Sequence, residues 1–142
     1  MVSPAAQVRN LLGVVWSAML IAIVPYGAAC VAITHVPGDA ADDVETLRYG
    51  FTAAAIISGA VSMWWRHRFL ALEGSTLSLN ELRGHAVWVW ALSEAVAICG
   101  LVLAVLTHAA NEFVPFALAA GALMILHRPA NLPFARLRDP IG

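Results

Sequence analysis

Charge is what this chain has least of. Only 12% of its 142 residues are Asp, Glu, Lys or Arg, and all eight basic residues are arginine. An ordinary soluble domain carries roughly a quarter charged residues. The formal net charge of -1 creates no field that would gather nucleic acid or an acidic surface, which sets nucleic-acid binding aside. Cysteine is scarce too: Cys30 and Cys99 sit in separate apolar runs that look to be at different depths, with no CxxC or Cys/His spacing around them. Both are expected to be packing residues, not a disulfide or a metal site. No HExxH, GxGxxG, P-loop or Ser-His-Asp order occurs, so catalysis of the soluble kind has no support and the chain is not expected to be an enzyme.

What is present is apolar. Hydrophobic residues make up 61% of the chain and the mean hydropathy is +0.78, which indicates an integral membrane protein. Ser3-Pro4 is suited to start a helix, and Leu11 to Thr34 is an uncharged run in which Pro25 predicts a kink. GAAC around Cys30 has the look of a lipoprotein cleavage site. The run is too long for a signal-peptide core, however, and Gly27 stands where an aliphatic residue is wanted, so a membrane helix is the reading. His35 to Arg48 is an acidic loop, and Tyr49 to Trp65 is a second run closed by Trp64-Trp65 and then Arg66, His67 and Arg68. SLNE over Ser78 to Glu81 fits a capping box leading into a third run, His85 to Thr107. Phe113 to Leu126 is a short fourth run, bounded by Pro115 and His127-Arg128-Pro129, and a Pro/Arg tail follows.

The fold expected is therefore an all-α, four-helix transmembrane bundle forming one domain, with spans at about 11–34, 49–65, 85–107 and 112–127 and a tail over 128–142. Arg9, Arg66, Arg68, Arg83, Arg128, Arg136 and Arg138 fall on one side of such a bundle and only Arg48 on the other. The positive-inside rule then puts both termini in the cytoplasm and the protein, multi-pass, in the inner membrane. Ala55-xxx-Gly59, Gly100-xxx-Ala104 and Ala117-xxx-Gly121 are small-residue pairs that allow close helix approach within the bundle or in an oligomer.

The third run carries one acid, Glu94. At 1.5 Å per residue it lies about 13 to 14 Å from His85, near the middle of a hydrocarbon layer roughly 30 Å thick. Val87, Trp90, Ala91, Ala97, Ile98 and Leu101 share its face, and only neighbouring Ser93 adds a polar group locally. No Arg lies at comparable depth on another span. Desolvation there favours the neutral acid, the condition of a proton-carrying carboxyl that loads in a dry site and releases in a wet one. The competing reading is a neutral Glu hydrogen-bonded to a backbone carbonyl or to a hydroxyl such as Ser58, Ser62 or Tyr26, joining two helices.

Glu94 to Leu106, EAVAICGLVLAVL, resembles the ion-carrying helix of the rotary ATPase proteolipids, the c subunits. In that family a membrane Glu or Asp is followed by a Tyr-Gly-Leu-type stretch, and here Cys99 stands at the Tyr position before Gly100 and Leu101. The resemblance implies that Glu94, with Ser93 beside it, is a proton or sodium site. Outside this helix the chain departs from the family: a glycine-repeat helix is missing, the connecting loop is long, and the acid lies on the third of four spans. A proteolipid-like membrane component is the form the expectation takes, with ion or proton binding as its role.

Two alternatives stay open. His67, His85 and His127 gather at the cytoplasmic ends of the spans and His35 with His108 at the external ends, so paired histidines could ligate a b-type haem. No other cofactor is expected. A non-catalytic accessory subunit is the remaining reading, supported by five Trp near the expected interfaces and a tail able to lie along a partner. In each case the partners are the lipid bilayer and other membrane subunits or further copies of the chain.

Overall fold

The computed structural model describes residues 4–35, 43–71 and 78–132, and among these the protein is built from four α-helices without a strand. They are α1 (Pro4–Thr34), α2 (Val44–Leu70), α3 (Leu79–Thr107) and α4 (Phe113–Leu126). Single 3-10 turns, Ala110–Glu112 and Pro129–Asn131, flank α4. The acidic stretch 36–42, the connection 72–77 and the tail from 133 onward lie outside the described residues.

Capping residues set where two of the helices begin. The Asp43 side chain accepts the Thr46 N–H at 3.1 Å and starts α2 earlier than the apolar run alone implies. Ser78 and Glu81 form the reciprocal capping box expected of SLNE, so what could have been a short separate lead is the first turn of α3. At its other end α3 stops at His108, whose left-handed backbone (φ 50°, ψ 32°) lets the Ala109 N–H turn back to the Ala104 carbonyl. The helix α1 runs unbroken through Pro25.

Two helices, α1 over residues 6–33 and α3 over residues 80–107, are long and apolar enough to cross a bilayer by length and composition. In α2 only 17 residues separate Arg48 from Arg66, and Gly, Ser and two Trp dilute their hydropathy. The 14 residues of α4 rise about 21 Å, short of a bilayer core of about 30 Å.

The hub is α3, which packs against α1, α2 and α4, while α1 and α2 make no extensive contact with each other. Burial follows: 44% of the apolar window of α3 is inside the bundle against 6% of that of α1. Ala97, Leu103 and Ala104 of α3 are fully or nearly fully buried with Cys30 of α1 and Phe113, Phe116 and Ala120 of α4 around them, while Trp90 is sealed in a second cluster with Val8 and Leu12 of α1 and Met124 of α4. Closest approach is at Gly100, where an added Cβ would lie 2.8 Å from Phe116 Cγ and nearer still to its Cβ. Gly59 is in looser contact, 3.5 Å from Leu123, and Gly121 faces open space. Of the glycines in the three small-residue pairs, only Gly100 sits where an added Cβ would collide with a neighbour.

Candidate functional site

Glu94 lies on a seam of α3. On one side of it, Trp90 and Ala97 are sealed in the core; on the other, Val87, Ala91 and Ile98 are exposed. The carboxyl is half-buried, and its Oε1 accepts a hydrogen bond of 2.7 Å from the Tyr26 hydroxyl of α1. Of the three hydroxyls that sequence put forward, Tyr26 is the one brought to it. Tyr26 follows Pro25, whose missing N–H removes one rung of the α1 ladder a single residue from the site.

Ser93 is turned to another task. Fully buried, it donates to the Val89 carbonyl of its own helix at 2.8 Å, and Ser62 of α2 approaches the same carbonyl at 3.5 Å. Its hydroxyl hydrogen is thus committed away from Glu94. Among the described residues the single ion pair is Arg48 with Glu112, and no three His, Cys, Asp or Glu side chains gather as a metal site. Among the described residues Tyr26 is the one side chain that donates to the Glu94 carboxyl.

The histidines divide. His35 and His67 are exposed; His85 and His127 are 7% and 4% exposed and line one small cavity together with Arg66 and Arg128. His85 stacks on Phe69 with ring centroids 3.6 Å apart. His127 Nδ1 lies 2.6 Å from the Leu123 carbonyl oxygen, which only accepts, so Nδ1 carries the hydrogen and a neutral ring presents Nε2 as a bare lone pair. That Nε2 and His85 Nδ1 have no hydrogen-bond partner, and neither has His108 Nδ1 at the opposite end. The cavity between His85 and His127 measures about 10 Å³, so haem ligation by this pair would require α3 and α4 to separate.

Two tryptophans serve the end of α4. Trp16 Nε1–H donates to the Met124 carbonyl and Trp90 Nε1–H to the His127 carbonyl, each at 2.8 Å. Asn131 Nδ2–H donates to the Leu126 carbonyl at 2.9 Å. The free carbonyls that end any helix are thus met by side chains, two of them from α1 and α3. Trp64, Trp65 and Trp88 are exposed, and Arg68 lies over the Trp64 ring. Cys30 and Cys99 are free thiols on neighbouring helices, Cys30 buried in an apolar cluster and Cys99 packed against it.

Comparison with protein-family models, curated proteins and solved structures gave no match for this chain.

Proposed function

We propose that this is a multi-pass inner-membrane protein in which Glu94 and Tyr26 form a proton-binding site in the apolar layer, acting within an oligomer or a larger membrane complex. The observation that carries the reading is the Tyr26–Glu94 hydrogen bond on an open seam of α3, with no cation beside it among the described residues. The Glu94 carboxyl sits between the apolar core and the exposed apolar side of α3 and is met by one neutral donor, a setting that can hold a proton. Binding a proton needs nothing more from the protein, and releasing it needs only that the seam open to water or to a polar group on a neighbour. The likeness of Glu94 to Leu106 to a proteolipid helix supports the same chemistry.

Orientation is part of the proposal. Arg9 begins α1, Arg66 and Arg68 end α2, Arg83 lies in the first turns of α3 and Arg128 follows α4, which supports a cytoplasmic basic end and cytoplasmic termini.

Infrared titration of the protein in vesicles tests the site. The carbonyl stretch of a carboxylic acid should be present in the wild type, vanish at high pH, and be missing from Glu94→Gln. Permanent absence of that band would remove the proton-binding reading. A carboxyl-reactive carbodiimide should label Glu94 in native membranes.

A second reading, a non-catalytic accessory subunit, draws on the large exposed apolar faces of α1 and α2, which include Val14, Ile21, Val24, Ile56 and Ile57. It predicts that Glu94→Gln leaves the host complex active, whereas the proton-binding reading predicts loss of proton-coupled activity.

A further inference from the structure

Between α2 and α4, which barely touch, runs an open groove of about 590 Å³. Ala55, Gly59 and Met63 form one wall, Ala119 and Leu123 the other, and Phe116 lies in the floor. Its α2 wall extends from Thr52 to Met63, about 16 Å, close to half of a 30 Å hydrocarbon core and hence to one leaflet. The groove has a charged end. Arg66 follows Gly59 by seven residues and Met63 by three, so it continues the wall of the groove by one more turn. Arg128 follows Leu126 of the other wall by two residues, which puts it at the same end, and both arginines line a separate small cavity with His85 and His127. Arg66 is half-buried and has no acidic partner among the described residues. An apolar trough of one-leaflet length that ends on an unneutralised guanidinium has the shape and charge of an amphiphile with a negative head.

We propose that this groove binds an anionic phospholipid, its phosphate held by Arg66 with Arg128 and one acyl chain lying between α2 and α4. Arg offers phosphate a fork of N–H donors, and basic pockets between helices at the cytoplasmic side recognise such headgroups. The acyl chain covers backbone and small side chains that neither helix covers for the other. The inference rests on the membrane reading above and is independent of what Glu94 does.

The test compares the melting temperature of the full-length protein, read by tryptophan fluorescence, in vesicles of phosphatidylcholine alone and of phosphatidylcholine with phosphatidylglycerol. Phosphatidylglycerol should raise it. Arg66→Gln and Ala119→Phe, which fills the groove, should each abolish that increment while keeping the phosphatidylcholine value; Glu94→Gln should preserve it. If Arg66→Gln does not fold, Ala119→Phe decides. An increment that survives either folded variant overturns the proposal. So does an equal increment from inorganic phosphate in phosphatidylcholine, or an Ala119→Phe variant that loses a dimer, since a second copy would then be the occupant. Extraction of the protein from native membranes by alkaline carbonate would overturn the membrane reading itself, a result separate from loss of lipid preference in an inserted protein.

Discussion

Arg48 of α2 and Glu112, in the turn that precedes α4, face each other as an ion pair in which Nε–H and an Nη2–H of the guanidinium donate to the two carboxylate oxygens. Arg48 is the one described arginine at its end of the bundle, and it is neutralised where it stands. The other described arginines gather at the opposite end without a carboxylate partner. Arg48→Gln should lower the melting temperature slightly, because the pair is solvent-screened. The double exchange Arg48→Glu with Glu112→Arg should recover most of the loss. Topology mapped by cysteine accessibility should be unchanged in Arg48→Gln, which only sharpens the charge asymmetry.

Tyr26→Phe removes the donor to Glu94 and keeps the ring. The expected cost is about 1 kcal/mol in reversible unfolding in mild detergent. Glu94→Gln, whose amide oxygen can still accept from Tyr26, should cost less than Glu94→Ala. A double-mutant cycle over the two positions would isolate the coupling. Zero coupling would mean that the hydrogen bond does not form in the membrane.

At Gly100 the sign of a substitution is set by space. Gly100→Ala drives a methyl into Phe116 and should destabilise by about 1–3 kcal/mol. Gly121→Ala meets nothing within 4 Å and should be neutral or stabilising by up to about 1 kcal/mol through helix propensity. Equal effects at the two sites would contradict the packing of α4 on α3.

Trp90→Phe leaves the His127 carbonyl without its donor, and Trp16→Phe does the same to the Met124 carbonyl. Each should cost about 1–3 kcal/mol. Hydrogen exchange should show the loss concentrated in the last turn of α4.

The start of α2 should respond to acid. Asp43 accepts from Thr46, and that hydrogen bond holds its carboxyl below the ordinary value of 3.8. A lowered folded value means that the contribution is complete above 3.8 and disappears as pH falls through the folded value. Asp43→Asn should retain the cap and remove that pH dependence, measured as amide exchange over Val44 to Leu47.

Local signals in the sequence carried far. The bounds of α4 follow from Pro115 and His127-Arg128-Pro129, and SLNE announced the start of α3. What local pattern could not supply was register between helices. Ser58, Ser62 and Tyr26 were equal candidates for Glu94 because nothing in one strip of sequence says which hydroxyl of another helix stands level with it. Register likewise decides that Cys30 and Cys99 join one apolar cluster, since they belong to two runs whose relative height only packing fixes. The gathering of His85 with His127 is legible in sequence, because both close the same end of their runs, whereas the exposure of His67 outside that cavity is set by packing. The tryptophan hydrogen bonds are hidden on a different ground: Trp is common at membrane interfaces, and nothing in one strip of sequence says that an indole N–H of α1 or α3 reaches a carbonyl at the end of α4.

The end of α4 also makes that helix dependent on its neighbours. Its closing carbonyls, Met124 and the capping His127, accept from indoles carried by α1 and α3, so in the membrane reading a 14-residue helix has its polar end sheltered only while both of those helices stand beside it.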